Sequence, residues 1–333
     1  MKTIFFNNSA NMVRVYPEEL RKQIGALTEL YPQVITQRDM DSHREAMREA
    51  EALFSTWGMP TLTGEEIGEY LPNLKAVFYG AGSVQDFARP YLARGIRVVS
   101  AWAANAIPVA EFAVSLIQLC LKGFLPAHRL ALGSWHEARA FVESCPGCYD
   151  ARVGLLGLGM IGRNVAERLK GFAVDVVAYD PYAPDSLFER LGVKRAETLL
   201  DAFAGSDVVS NHIANLPQTQ EILRYEHFSA LPPRGAFINT GRNAQVHVPG
   251  LARAFAEEPQ RTAFFDVTDP DEPPKPDNPL VLLPNAYFTP HMAGATGQEV
   301  RRMGAYMVEE CRRFLAGEPL RWEVTEKMLE TMA

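Results

Sequence analysis

The chain of 333 residues contains few cysteines, no excess of positive charge and only short apolar runs. Four cysteines are too few for a disulfide scaffold of the kind that holds small secreted domains together. The net charge of −7 disfavours nucleic acid or an anionic membrane surface as a partner. We therefore expect no nucleic-acid partner and no membrane partner.

The longest apolar segment, from Val109 to Leu121, is interrupted by Glu111, Ser115 and Gln118. It falls short of the roughly 18 apolar residues that span a bilayer, so the pattern predicts a buried helix. The opening MKTIFFNNSA becomes polar after a very short apolar run and lacks the features of a signal peptide. These patterns predict a cytoplasmic protein.

Cys145 and Cys148 have the C-x-x-C spacing of redox sites and half zinc sites. No second cysteine pair accompanies them, and no histidine pair lies nearby at ligand spacing. We interpret both as incidental loop thiols and predict no metal site.

Short apolar runs alternate with helical patterns in two series, which predicts an α/β fold with two parallel-sheet domains, each Rossmann-like or flavodoxin-like. The strands predicted in the first series are 3–6, 52–55, 74–79 and 97–99, with helices at 17–30, 42–50 and 64–70. Those predicted in the second are 153–156, 174–179, 208–211, 236–239, 263–265 and 286–288, with a helix at 164–170.

The remaining segments connect or close these two series. A helix is predicted at 105–122, with Pro108 in its first turn. Residues 123–150 are predicted to form an arm or connector whose exposed aromatics could cover a partner subunit. Residues 270–284 contain six prolines and predict an extended loop. A final helix is predicted at 296–315.

A G-x-G-x-x-G sequence follows the strand 153–156 and opens a helix, and Asp180 ends the next strand. In this context Gly157 permits a tight turn, Gly159 admits a pyrophosphate and Gly162 allows close helix packing. The helix N-terminus would bind the phosphates. Asp180 would bind the adenosine ribose and repel a 2′-phosphate, and Asp180-Pro-Tyr182 offers no nearby arginine. The pattern therefore predicts NAD rather than NADP.

Three polar segments follow strands of the same predicted sheet: Asn239-Thr-Gly-Arg242, the loop 266–273, and Thr289-Pro-His291. Ligands bind at the carboxyl ends of such strands. Reduction of a 2-oxo acid needs a cation for the carboxylate, an acid for the forming alkoxide and a group that orients this acid. Arginine, histidine and a carboxylate meet these needs, although each residue taken singly has an equally good structural explanation.

Over residues 74–297 the chain resembles the D-isomer-specific 2-hydroxyacid dehydrogenases. The resemblance covers, in order, Gly80-Ala-Gly82, Asn105-Ala-Ile-Pro-Val-Ala-Glu111, the glycine-rich turn with Asp180, Ser210-Asn-His212, Asn239-Thr-Gly-Arg242, Asp266-Val-Thr and Thr289-Pro-His291. It implies a hydride transfer between NAD(H) and C2 of a small 2-oxo or 2-hydroxy acid. It also implies a cofactor domain at 103–292 inserted into a discontinuous substrate domain at 1–102 plus 293–333, and a homodimer.

In this family pattern Arg242 binds the substrate carboxylate and carbonyl, and His291 is the general acid and base. An acid from the proline-rich loop pairs with His291 and favours its protonated form. Ala81 and Gly82 hold the substrate carboxylate. The cofactor contacts implied besides Gly157, Gly159, Gly162 and Asp180 are Met160, Ile161, His212, Thr240, Gly241, Asp266 and Ala293.

The chain departs from the family at the acid. The usual spacing after Asp266 reaches Asp271, whereas the Glu-Pro pair of the family is Glu272-Pro273 here. We favour Glu272 and leave Asp271 open. An acid at this place argues against formate as substrate. Trp57 would shape the substrate pocket or, equally well, pack in the core.

Two other functions stay open. The fold is reused by NAD-responsive corepressors, and such a binding protein is the main alternative, because fold does not dictate function. A bulkier substrate such as a sugar acid is suggested by Trp57 and by Asn243 and His247, which replace the usual residues after Arg242. The sequence identifies neither the physiological acid nor the preferred direction.

Overall fold

A computed structural model describes residues 1–330 and divides into two compact units. The first unit comprises Met1–Asn105 together with the chain from Ala295 onward, and the second is Ala106–Gly294. The divisions expected from the sequence, at 102/103 and 292/293, lie close to these bounds. The long helix that starts at Trp102 begins in the first unit and continues in the second.

Each unit is built on one sheet. The strands are β1 (Lys2–Phe6), β2 (Glu29–Ile35), β3 (Ala52–Ser55), β4 (Ala76–Tyr79), β5 (Arg97–Ser100), β6 (Tyr149–Leu156), β7 (Ala173–Tyr179), β8 (Lys194–Arg195), β9 (Val208–Asn211), β10 (Ala236–Asn239), β11 (Thr262–Phe265), β12 (Ala286–Phe288) and β13 (Glu323–Val324). The strand orders are β13-β5-β4-β3-β1-β2 and β12-β11-β10-β9-β6-β7-β8. All pairings are parallel except that of β13 with β5.

Helices connect the parallel strands. They are α1 (Asn11–Val15), α2 (Glu18–Leu27), α3 (Arg44–Glu49), α4 (Gly64–Tyr70), α5 (Ala88–Leu92), α6 (Trp102–Leu121), α7 (Phe124–Ala131), α8 (Trp135–Glu143), α9 (Met160–Leu169), α10 (Asp185–Leu191), α11 (Leu199–Phe203), α12 (Tyr225–Ser229), α13 (Val248–Glu257) and α14 (Val300–Leu315). Short 3₁₀ helices lie at Met40–His43, Pro217–Thr219, Asn243–Gln245 and Lys327–Glu330.

The central strands are buried on both faces, since every residue of β3, β4, β9, β10 and β11 is buried. Apolar clusters cover the two faces of each sheet. Helices on both faces and a parallel sheet between them make each unit an α/β layer structure, as predicted. The polar residues that follow the buried strands are gathered at the carboxyl edge of each sheet.

Three strands escaped prediction because their sequences carry little apolar signal. β2 lies at a sheet edge, has a single buried residue and contains Pro32, which an edge strand tolerates. Part of it was predicted as the end of the helix 17–30, which stops at Leu27 instead. β8 and β13 each have two residues and lie at or near sheet edges.

The connector predicted at 123–150 is largely helical and forms α7 and α8. The side chain of Ser134 accepts a hydrogen bond from the Glu137 N–H and caps α8. The apolar side chains of Phe124, Leu132 and Trp135 are exposed, by 49%, 79% and 78%. The helices were not predicted because this segment is rich in glycine, proline and histidine, a composition that is typical of loops.

The helix α6 is longer than predicted, and Pro108 lies inside it because the helix begins at Trp102. By length and composition α6 could cross a membrane, contrary to the expectation that no segment reaches that length. However, 61% of its most apolar window is buried, and Ala110, Ala113 and Ile117 belong to the core of the second unit. This is the pattern of a core helix.

Candidate functional site

The turn between β6 and α9 depends on two glycines for its shape. Gly157 has a φ of +90°, which L side chains rarely adopt. A Cβ on Gly162 would lie 2.0 Å from the Gly157 carbonyl oxygen. At Gly159, by contrast, a Cβ would meet nothing within 4 Å, so the backbone there borders open space that a phosphate group can approach.

The N-terminus of α9 faces this turn. Gly159 is its N-cap residue and has no side chain that could cap the helix. The first N–H groups of the helix, on Met160, Ile161 and Gly162, have no carbonyl partner within the helix. Together with the helix dipole they suit a pyrophosphate.

Asp180 follows β7 and braces the same turn. Its Oδ2 accepts a hydrogen bond from the Leu158 N–H at 2.7 Å, and its Oδ1 accepts from the N–H groups of Tyr182 and Ala183 at 2.9 and 3.1 Å. A carboxylate has about four lone-pair sites, so a site on Oδ2 is left for a ribose hydroxyl.

An arginine does lie near Asp180, although the sequence around Asp180 suggested none. Arg195 of β8 donates to the carbonyls of Asp180 and Ala183, at 3.4 and 2.7 Å. Its guanidinium also pairs with Asp185 at 2.8 Å and lies 4.0 Å from the Phe188 ring centroid. The neighbouring strand supplies this residue, which is why proximity in sequence could not reveal it.

Buried polar atoms without a partner line the carboxyl ends of β9 and β10. Within the described part of the chain, neither ring nitrogen of His212 has a hydrogen-bond partner, and the Thr240 Oγ1 has none either. Burial lowers the pKa of His212 to about 4, so the ring is neutral at pH 7. Gly157 packs against the His212 backbone. Unpaired atoms and the open turn fit a polar cofactor such as NAD at this edge.

His291 and Glu272 form the central pair of the site. Glu272 Oε2 lies 3.0 Å from His291 Nδ1, and Glu272 Oε1 accepts from the Thr268 N–H at 3.2 Å. Burial alone would raise the pKa of Glu272. The hydrogen bonds from His291 and Thr268 and the charges of His291 and Arg242 outweigh it and hold this pKa below the ordinary 4.5.

The ionised carboxylate fixes the tautomer of the imidazole. Because an ionised Glu272 can only accept hydrogen bonds, Nδ1 of His291 must be the donor in this pair. The second ring nitrogen, Nε2, is then the atom that can gain or lose a proton. The side chain of His291 is 45% exposed, so this nitrogen can meet a small molecule.

Asp266 holds the loop that carries His291. His291 has a φ of +52°, and its N–H donates to the Asp266 carbonyl at 3.0 Å. The Asp266 carboxylate is buried and accepts from the Thr289 hydroxyl at 2.6 Å and from the N–H groups of Met292 and Ala293 at 2.8 Å each. These bonds stabilise a backbone conformation that is uncommon for residues other than glycine.

Arg242 follows β10 and belongs to the same group of residues. It is partly buried, and its Nη1 donates to the Gly241 carbonyl at 3.0 Å. Its charge contributes to the lowered pKa of Glu272. The structure thus brings Arg242, Glu272 and His291 to one edge of the second sheet.

Asp271, the alternative acid, points elsewhere. Its carboxylate pairs with Lys275 at 3.0 Å, and its carbonyl accepts from the Thr268 hydroxyl at 2.9 Å. Thr268 therefore binds both neighbouring residues but directs only the Glu272 carboxylate toward His291.

In the first unit, residues 80–82 form the segment predicted to bind the substrate carboxylate. Their main-chain carbonyls accept hydrogen bonds from side-chain hydroxyl groups. Thr56 Oγ1 donates to the Gly80 carbonyl at 2.8 Å. Ser100 Oγ lies 2.8 Å from the Ala81 carbonyl oxygen and 2.5 Å from that of Gly82. With their carbonyls bound on one side, these peptides can present N–H groups on the other.

Trp57 is partly buried and packs against both apolar clusters of the first unit. Asn7 Nδ2 donates to its carbonyl at 3.2 Å. Cys145 and Cys148 are free thiols, and Cys145 donates a weak hydrogen bond to the Phe141 carbonyl at 3.4 Å. Among residues 1–330, no three His, Cys, Asp or Glu side chains are grouped as metal ligands.

Three residues that were not predicted as site residues hold the site together. Ser100, Asn211 and Gln245 are buried and bind main-chain groups beside the predicted residues. Ser100 and Asn211 each end a buried strand, a signal that is visible in the sequence. For Gln245 the sequence holds no such signal.

Comparison with known proteins identifies a family. Residues 115–293 match the model for the D-isomer specific 2-hydroxyacid dehydrogenase, NAD binding domain. D-3-phosphoglycerate dehydrogenase of Methanocaldococcus jannaschii is 31% identical over 227 residues, 68% of this chain and 42% of that protein. Glycerate dehydrogenase of Methylorubrum extorquens is 30% identical over 259 residues, 75% of this chain and 78% of that protein.

The match spans about half the length of the phosphoglycerate dehydrogenases, from 42% to 52%. Among solved structures, the apo form of Rhodotorula graminis D-mandelate dehydrogenase superposes with a TM-score of 0.81 at 20% identity, covering 97% of each chain. That likeness supports the fold. The chain belongs to the D-isomer-specific 2-hydroxyacid dehydrogenase family, and residues 115–293 correspond to its NAD-binding domain.

Proposed function

We propose that this chain is an NAD-dependent dehydrogenase that interconverts a small 2-oxo acid and the corresponding D-2-hydroxy acid. The observation that carries the proposal is the 3.0 Å contact between His291 and an ionised Glu272, whose pKa is also lowered by Arg242. This group combines an acid–base residue, its partner and a cation for a carboxylate. Family membership supports the same activity.

The cofactor site that we propose lies at the turn of the second unit. The N–H groups of Met160, Ile161 and Gly162 would bind the pyrophosphate, beside Gly157 and Gly159, and Asp180 the adenosine ribose. The further contacts that we propose are His212, Thr240, Gly241, Asp266 and Ala293. When bound, NAD supplies the hydride acceptor or donor.

The catalytic roles follow from charge and geometry. Arg242 would bind the substrate carboxylate and polarise the carbonyl through the two-pronged geometry of its guanidinium. His291 would deliver a proton from Nε2 to the forming alkoxide in reduction and remove it in oxidation. Glu272 would keep Nδ1 protonated and thereby point Nε2 at the substrate.

The remaining assignments are also proposals. The first unit would be the substrate domain, with Ala81 and Gly82 binding the substrate carboxylate and Trp57 shaping the pocket. We propose a cytoplasmic enzyme and a homodimer, the latter supported by the exposed apolar side chains of α7 and α8.

Oxidation of NADH with hydroxypyruvate, glyoxylate, pyruvate and phenylpyruvate tests the activity. We expect turnover with at least one of these acids and weaker turnover with NADPH, because Asp180 repels a 2′-phosphate. If NADH binds and no acid is reduced at high enzyme concentration, the dehydrogenase proposal fails and an NAD-responsive binding protein becomes the better explanation.

A further inference from the structure

The peptide groups on both sides of Arg242 are bound by amide side chains. The Gly241 N–H donates to Asn239 Oδ1 at 3.1 Å, and the Arg242 N–H donates to Gln245 Oε1 at 3.2 Å. The Arg242 carbonyl accepts from Asn239 Nδ2 at 3.1 Å. The main chain at the base of the Arg242 side chain is therefore fixed from two directions.

These amides form one buried network. Asn211, Asn239 and Gln245 are each 0% exposed. Asn211 Nδ2 donates to Asn239 Oδ1 at 3.1 Å and lies 3.3 Å from Gln245 Oε1, while Asn211 Oδ1 accepts from the Ile213 N–H at 3.1 Å. The network links the loop after β10, which carries Arg242, to the loop after β9, which carries His212.

Gln245 is central to this network because a single oxygen atom of its side chain accepts hydrogen bonds from both loops. Its Oε1 accepts from the Arg242 N–H and from Asn211 Nδ2. Turning the Gly241–Arg242 peptide would leave buried donors and acceptors unpaired, and an unpaired buried polar group is costly. The Arg242 guanidinium itself binds the Gly241 carbonyl, so its direction depends on the same peptide.

A second link joins this loop to the acid. The Asn243 N–H donates to Asp269 Oδ1 at 2.8 Å, and Asn243 Nδ2 donates to the Asp269 carbonyl at 3.3 Å. Asp269 lies on the loop that continues to Glu272. Side-chain hydrogen bonds to the main chain therefore fix both the direction of Arg242 and the position of the loop that carries Glu272.

We propose that Gln245 is a positioning residue that fixes the direction of the Arg242 guanidinium and so determines how tightly the substrate carboxylate is bound. The inference rests on the proposed function, in which Arg242 binds that carboxylate. In the proposed function Gln245 touches neither substrate nor cofactor. Its Oε1 acts through Arg242 and Asn211, and its Nε2 donates to Asn215 Oδ1 at 3.5 Å.

Gln245→Met keeps the length of the side chain and removes the acceptor oxygen together with the amide N–H that donates to Asn215. We expect KM for the best 2-oxo acid to rise about tenfold, with kcat changed less than about threefold, because the loss falls on binding. The dissociation constant of NADH, followed by fluorescence, should stay within about twofold of wild type. Gln245→Asn retains an amide that is one methylene shorter and should raise KM about threefold, which keeps the test valid if the Met variant does not fold.

Two controls identify the cause. Asn285→Leu removes a buried amide that binds the Phe255 and Arg261 carbonyls at the amino end of β12, and it should lower Tm while leaving KM unchanged. In an Arg242→Ala background, Gln245→Met should add less than about twofold to KM, since the residue through which it acts is gone.

The outcomes separate the two proposals. Wild-type KM in both Gln245 variants, the same KM change in Asn285→Leu, or a full additional effect in the Arg242→Ala background would overturn the positioning role alone. If Arg242→Ala itself leaves KM and kcat near wild type, the assignment of Arg242 in the proposed function fails instead.

Discussion

The carboxyl edges of the two sheets carry different kinds of polar side chain. In the first unit, Ser55, Thr56 and Ser100 are neutral and buried, and their hydroxyls bind main-chain carbonyls. In the second unit, the corresponding edge carries the hydrogen-bonded pair of Glu272 and His291. In the first unit the side chains at this edge therefore hold the loop at residues 80–82 in place. In the second unit the same parallel-sheet architecture brings ionisable groups together. We expect changes to Glu272 and His291 in the second unit to affect the chemistry, and changes to these hydroxyls of the first unit to affect only binding.

The largest expected effect is the loss of the proposed proton donor, His291. His291→Asn keeps a side chain of similar polarity that cannot deliver a proton, and it should lower kcat/KM by about 10²-fold or more. NADH binding, measured by fluorescence, should persist. A kcat/KM within threefold of wild type would mean that His291 takes no part in the reaction. The difference expected between the two units would then not hold.

Glu272→Gln should have the next largest effect, about tenfold to 10²-fold on the rate of reduction. The pKa of Glu272 lies below its ordinary value, so the carboxylate is charged through the neutral range, and its pairing with His291 is lost only as the pH falls through the acid range. In the variant, the acid limb of the pH–rate profile that reflects protonation of Glu272 should be absent, because an amide does not titrate there.

Asp271→Asn is the matched control for this prediction. Its carboxylate pairs with Lys275 on the surface, so the variant should keep the rate within about threefold and leave the pH profile in place. If Asp271→Asn moves the profile and Glu272→Gln does not, the two acids have been assigned the wrong way round.

The smallest expected effect lies in the first unit. Ser100→Ala frees the carbonyls of Ala81 and Gly82 and should raise KM for the 2-oxo acid about threefold, with kcat unchanged. Thr3→Val, which removes a buried hydroxyl bonded to Thr28 at the amino end of β1, should leave KM unchanged. Equal kinetics for both variants would mean that this edge does not bind substrate.

Much of the fold was predictable because buried strands are short apolar runs. The bounds of β3, β9, β10 and β12 were predicted to the residue, and β2 was missed because an exposed edge strand with a proline carries no such pattern. The glycine-rich turn was likewise visible, since its spacing reflects a steric requirement.

The details of the site depended on contacts between distant residues. The choice between Asp271 and Glu272 needed the course of a proline-rich loop, which spacing alone does not define. Arg195 reaches Asp180 from a neighbouring strand, and Gln245 meets Asn211 from another loop. Such contacts form only in the folded chain, so no local sequence pattern predicts them.

A crystal structure with NADH and oxamate, an analogue of a small 2-oxo acid, would test the central claim most directly. We predict that the Arg242 guanidinium and Nε2 of His291 both lie within about 3.2 Å of oxamate oxygen atoms, with Glu272 still bonded to Nδ1. Oxamate bound away from both side chains, with Arg242 directed into solvent, would contradict it.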